Sequence, residues 1–103
     1  MVNISTINNL LQAGESQTIE FKASFGRETV ESLVAFANVQ GGTVLIGVSD
    51  DSSILGTTIG KETLNDWLGQ IKSSTSPAII PNIDAVQVDN KWIVAIHINE
   101  SLP

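Results

Sequence analysis

The stretch TVLIGV, residues 43–48, restricts the fold more than any other part of the chain. A strand with one wet face alternates apolar and polar residues, whereas a strand buried on both faces reads as a continuous apolar run. This segment therefore asks for a sheet with cover on each side. Gly41-Gly42 before it and Ser49-Asp50-Asp51-Ser52-Ser53 after it supply the turns that bound it. The covering must come from the same small chain. At 103 residues it is long enough for one domain and too short for two. A domain of this size buries roughly two-thirds of its unfolded surface and needs no covalent staples. With 42% hydrophobic and 16% charged residues, the composition is that of a globular protein rather than a disordered one.

Helical and extended patterns alternate along the rest. Ile7, Leu10 and Leu11 recur at helical spacing within residues 5–13, and Gly14 is a stop signal. Residues 18–23 alternate, with Ile19, Phe21 and Ala23 on an inner face and Thr18, Glu20 and Lys22 on an outer one, which predicts a half-buried strand. Residues 27–39 place Val30, Leu33, Val34 and Ala37 at i, i+3, i+4 and i+7, with Glu28 and Glu31 outward, which predicts an amphipathic helix. Gly41 suits a left-handed position after that helix. ILGTTI, residues 54–59, reads as a short partner strand. Leu64, Trp67, Leu68 and Ile71 form an apolar stripe within residues 61–73 and predict another helix. SPAIIP is an irregular connector, and IDAVQV and KWIVAIHI flank Asp89-Asn90 as a hairpin. The order implies an α+β fold: one mixed β-sheet of about five strands covered by about three helices. The unit at 18–48 reads as a strand–helix–strand crossover between parallel strands.

Several function classes drop out. The chain has no cysteine, so disulfides, thiol catalysis and cysteine-held zinc are excluded, and a reducing, cytoplasmic setting fits. No apolar run approaches the ~20 residues of a membrane span, and the N-terminus lacks the basic region of a signal peptide. The last residues, NESLP, follow directly on a strand pattern, so residues 1–103 read as a single domain forming the N-terminal part of a longer protein. The net charge of −6 disfavours both an anionic membrane surface and, on average, nucleic acid. Only Lys22, Arg27, Lys61, Lys72 and Lys91 are basic, so any phosphate contact must be local.

No phosphate-cradling glycine loop and no nucleophile elbow occurs. His97 is the single histidine, which excludes a two-histidine metal site, and it reads as a strand residue. Trp67 belongs to the apolar stripe, whereas Trp92, at a strand start, is a candidate for a surface contact. The remaining chemistry is acidic. Glu15 and Glu20 precede and enter the first strand, and Asp50 and Asp51 follow the buried one. If those strands are neighbours, three carboxylates can converge on Mg²⁺ or Mn²⁺ through oxygen ligands and support metal-assisted phosphodiester cleavage. The alternative is that they are solvated residues of strand ends and turns.

Glu15 to Glu20-Phe21-Lys22, then AFANVQGGTVLIGVSDD at 35–51, then Ile54-Leu55-Gly56, form an ordered pattern. In this pattern the chain resembles the Schlafen-type AlbA-like domain. The resemblance covers nearly the whole chain. Val39, Ser49 and Ser52 depart from the family's usual Thr, Asp and Gly. The resemblance implies an AlbA-like fold and a nucleic-acid (DNA) binding module of a transcriptional regulator, with Lys22 and Arg27 as candidate phosphate contacts. In several Schlafen proteins two glutamates and an aspartate at these motif positions form an endoribonuclease triad. The resemblance carries that role to Glu15, Glu20 and Asp50, as catalytic and metal-holding residues if the chain is a nuclease. Family membership alone does not settle activity. A third reading is a protein-interaction or oligomerisation module, in which the terminal hairpin with Trp92 pairs across a two-fold axis into a homodimer.

Overall fold

The structure is a computed structural model and describes residues 2–100. Three helices and four strands follow one another as α1 (Ile4–Ala13), β1 (Ile19–Lys22), α2 (Arg27–Val39), β2 (Gly42–Ile46), α3 (Thr63–Ser73), β3 (Asn82–Val88) and β4 (Lys91–Ile98). The strands form one mixed sheet in the order β1-β2-β4-β3. β1 and β2 are parallel, with Ile19 beside Thr43 and Lys22 beside Ile46, and α2 makes the crossover between them. β4 is antiparallel to both β2 and β3. The α+β class and the covered mixed sheet are as the sequence implies.

The continuous apolar run of β2 has the expected cause. Leu45 and Val48 join Ile7 of α1, Phe21, Val86, Val88, Ile93 and Ala95 on one side of the sheet. Val44 and Ile46 join Leu33 and Ala37 of α2, Ile71 of α3, and Val94, Ile96 and Ile98 on the other. Val44, Leu45, Ile46 and Val48 are completely buried. Burying each such side chain is worth about 1.5–3 kcal/mol, so the two central strands carry much of the stability.

Local signals fix the element ends. Asn3 caps α1 by accepting the Thr6 N–H at 3.0 Å. At the start of α2 the Thr29 hydroxyl accepts the Gly26 N–H at 3.1 Å, which satisfies a side chain that is otherwise fully buried. Gly41 ends α2 with φ of 82°. A Cβ there would lie 2.7 Å from the Ile98 carbonyl oxygen, so both the backbone angle and the neighbouring strand demand glycine. The Asp89-Asn90 hairpin turn takes φ of 51° and 64°, the left-handed pair of a two-residue turn that these two residue types tolerate.

Three expectations change. ILGTTI is not a fifth strand. It makes only two isolated bridges, Val48 to Ile54 and Thr57 to Trp92, because Gly47 and Gly56 at φ of 97° and 79° break the extended path. Ala23 is exposed, since β1 ends at Lys22. Val34 is 37% exposed, and the buried stripe of α2 runs instead through Thr29, Leu33 and Ala37. Those positions are four apart, so the helix is rotated by about one residue from the face that apolarity alone selects.

Glycine substitutions test this account. Gly41→Ala is expected to cost about 2–4 kcal/mol, from the left-handed angle and the backbone clash together. Gly69, inside α3 with open space where a Cβ would go, is expected to stabilise by up to about 1 kcal/mol when replaced by alanine. Urea denaturation of both variants measures the two signs.

Candidate functional site

Residues before β1 fold back along its outer edge. The Ser16 N–H donates to the Ile19 carbonyl at 3.0 Å, and the Ser16 hydroxyl accepts the Thr18 N–H at 3.2 Å. This turn swings Glu15 round to the strand, where its Oε2 accepts the Phe21 N–H at 2.8 Å. Glu15 therefore satisfies a donor that an edge strand would otherwise leave open.

Glu20 projects from β1 on the α2 side, in register with Val44. Glu15 and Glu20 line one shallow cleft of about 380 Å³, with Ile19, Ala35 and Phe36 as its apolar lining and Ser16 and Ser32 as hydroxyl neighbours. The structure thus brings two of the three expected carboxylates to one place. Asp50 is exposed in the turn that follows the β2 run. Among the described residues, no group of three or more histidine, aspartate or glutamate side chains stands close enough to hold a metal ion. The acidic set does not fit a three-carboxylate metal site in this arrangement. One Glu15 oxygen is already engaged by the Phe21 N–H.

Asp51, not Asp50, organises its turn. Its Oδ1 accepts from the Ser49 hydroxyl and from the Ser53 N–H, the latter at 3.1 Å. These bonds, the Ser49 hydroxyl's foremost, hold its carboxyl below the usual aspartate range.

Lys22, a candidate phosphate contact, is embraced by carboxylates. Its Nζ donates to Glu28 Oε1 at 3.1 Å and lies 3.9 Å from Glu20 Oε1. The Glu28 hydrogen bond raises its pKa above the ordinary 10.5, partly opposed by burial and reinforced by the charges of Glu20, Glu28 and Glu15. Glu28 lies in the first turn of α2, where a negative charge also suits the helix end. Sequence reasoning placed Glu28 only as an outward residue. Its pairing with Lys22 depends on how sharply the chain turns between β1 and α2.

Arg27, the other candidate, is exposed at the first position of α2. It makes no ion pair among the described residues and lines a second cleft, of about 430 Å³, with Gly26, Val30, Glu31, Gln70 and Ser74. Phe25, beside it in sequence, stacks on Trp67 of α3 with ring centroids 4.7 Å apart and planes 5° from parallel. That stack ties the β1–α2 corner to α3 and covers one face of the half-buried Trp67. His97 bonds Thr43 Oγ1 through Nδ1 at 2.9 Å and Asn99 Oδ1 through Nε2 at 3.1 Å, as a satisfied strand residue does. Trp92 is 37% exposed.

The sequence matches the profile described as "Schlafen, AlbA_2" over residues 15–103. No curated protein matches it. Among solved structures it is similar to the N-terminal domain of a RecG-related protein (after the ATP-dependent DNA helicase) from Nitrosomonas europaea. The TM-score is 0.72 at 22% identity, covering 97% of this chain and 74% of that one. It is also similar to the DIP2311 protein of Corynebacterium diphtheriae, with a TM-score of 0.65 at 16% identity. There the match covers 95% of this chain but only 22% of that one. At these identities the likeness is one of fold. No helix among the described residues is long and apolar enough to cross a membrane.

Two substitutions separate the local roles. Glu15→Ala strips the Phe21 N–H of its partner and is expected to cost about 1 kcal/mol, whereas Glu15→Gln keeps an acceptor and most of the stability. For Lys22 the folded pKa is raised, so its contribution is complete below pH 10.5 and is lost as pH rises through the folded value. Because Lys22 and Glu28 are partly to largely open to solvent, Lys22→Gln is expected to cost only about 0.5 kcal/mol. The cost should be constant from neutral pH to about 10 and shrink above that. Urea melts at several pH values read both effects.

Proposed function

This chain belongs to the Schlafen AlbA_2 family, and on that footing we propose that it is a nucleic-acid-binding module, for DNA, working within a larger transcriptional regulator. The observation that carries the reading is the family match over residues 15–103, joined to the placement of Arg27. Arg27 is an exposed cation that makes no ion pair among the described residues, with Glu31 one turn on in the same cleft, at the N-terminal end of a 13-residue helix. A guanidinium in that position offers bidentate donors to a phosphate. Lys22 is the second contact. Its ammonium is already shared with Glu28 and lies near Glu20, so Arg27 contributes more of the affinity.

The net charge of −6 limits the affinity and makes it strongly salt-dependent. Fluorescence anisotropy with labelled DNA and RNA at about 50 mM salt tests the reading. Binding is expected, with Arg27→Ala weakening it about three- to ten-fold on every sequence and lowering the salt slope by about one. Lys22→Ala is expected to have the smaller effect. No binding of either nucleic acid at that salt contradicts the proposal for the chain by itself.

A second reading is a metal-dependent endoribonuclease using Glu15, Glu20 and Asp50. It is favoured by one observation, that Glu15 and Glu20 share a cleft. It requires Asp50, or a carboxylate from elsewhere, to move in beside them. Mn²⁺-dependent cleavage of structured RNA, abolished by Glu20→Ala, supports this reading; intact RNA in Mn²⁺ rejects it.

A further inference from the structure

The two edges of the sheet are finished differently. At the β1 edge the Phe21 N–H and the Ile19 carbonyl are satisfied by Glu15 and Ser16, so the chain partly closes that edge on itself. At the β3 edge nothing comparable occurs. Among the described residues, no backbone or side-chain group outside β4 bonds the backbone of Asn82–Val88. The hairpin fixes which groups are open. A two-residue turn makes its flanking residues, Val88 and Lys91, a hydrogen-bonded pair. Alternation then turns Val86, Asp84 and Asn82 toward β4 and leaves the N–H and C=O of Ile83, Ala85 and Gln87 facing outward. β3 has no lysine and no bulge, and of the usual devices that blunt an edge it carries only one charge, Asp84, with Pro81 just before the strand.

We propose that the β3 edge is a self-association surface, pairing antiparallel with β3 of a second copy about a two-fold axis through Ala85, so that two four-stranded sheets become one continuous sheet. The occupant follows from the self-complementarity of this strand. Centring on Ala85 sets Ile83 opposite Gln87 of the second copy and Ala85 opposite Ala85. All three outward residues of each strand are then used in pairs that exchange both hydrogen bonds. The residue on the axis is small, so the strands approach without a clash. Asp84, the one charge in β3, faces Val86 of the second copy rather than its own equivalent. Shifting the axis to Ile83 or Gln87 leaves some outward groups unpaired, and shifting it to Asp84 sets two carboxylates face to face. The edge alone buries less than the roughly 1,200 Å² of a standard interface, so the dimer forms at about 0.1 mM rather than nanomolar concentration.

The test is sedimentation velocity of the chain from ~10 µM to ~1 mM at about 0.3 M salt, where repulsion between two chains of charge −6 is screened. It is paired with residue-resolved amide hydrogen exchange. The expected result is a monomer that becomes a dimer as concentration rises. The Ile83, Ala85 and Gln87 amides should slow about four-fold over that range, in step with the fall in monomer fraction, while Asp84 and Val86, bonded within the hairpin, are protected throughout. Ala85→Pro removes an outward N–H without touching the β3–β4 ladder and is expected to stay monomeric. A monomer at ~1 mM overturns the proposal. So does a dimer whose Ile83, Ala85 and Gln87 amides exchange as fast as in the monomer, or a folded Ala85→Pro variant that dimerises like the parent. The exchange data decide the matter if that variant does not fold, and none of these outcomes bears on nucleic-acid binding.

Discussion

The burial of β2 on both faces is the constraint from which the rest of the structure follows. Leu45 and Val48 point into one apolar layer, and Val44 and Ile46 into the other. A strand of this kind has no wet side, so both layers must be roofed. α1 roofs the first with Ile7, and α2 and α3 roof the second with Leu33, Ala37 and Ile71. β4 repeats the arrangement with Ile93 and Ala95 against Val94 and Ile96. The two strands that tolerate no water sit in the middle of the sheet, and the polar chemistry is left to the edges and corners. β1 is short and carries Glu20 and Lys22 on a face that α2 partly covers.

Charge is then distributed by packing rather than by composition. The net charge of −6 describes the chain as a whole, yet its two most interesting cations have different surroundings. Lys22 lies within reach of Glu20 and Glu28 and is neutralised locally. Arg27 sits five residues later at a helix start, tied in place by the neighbouring Phe25–Trp67 stack. An acidic protein can meet a phosphate at such a point, because the positive helix end and the guanidinium act over a few ångströms while the remaining charge is screened over about 8–10 Å. Glu15 shows the converse. A carboxylate that reads as a ligand from its motif position serves here as a cap on a strand edge.

Much of this was legible in the sequence because it rests on periodicity. The bounds of α2 and β4, the two-faced burial of residues 43–48 and the left-handed Gly41 all follow from spacing and from the geometry that glycine permits. Legibility ended where three-dimensional turns intervene. Apolarity alone selects Val34 for the inner face, but the helix turns Thr29 inward instead, its hydroxyl satisfied by the Gly26 N–H. ILGTTI has strand composition, but Gly47 and Gly56 turn the backbone away from a ladder. The Glu15–Glu20 cleft was half legible. Their proximity was anticipated, but the diversion of Glu15 to the Phe21 N–H and the exposure of Asp50 depend on how residues 15–18 and 49–53 turn. Spacing in one dimension does not encode those turns.

The central claim, that this acidic chain meets nucleic acid through its β1–α2 corner, is tested most directly by nuclear magnetic resonance. A ¹⁵N-labelled sample is titrated with a short DNA duplex at low salt. The account predicts that shift changes concentrate on residues 22–29, including the Arg27 guanidinium, and that the acidic 49–53 turn is unaffected. Changes confined to the 49–53 turn or to β3, or none at saturating duplex, would contradict it.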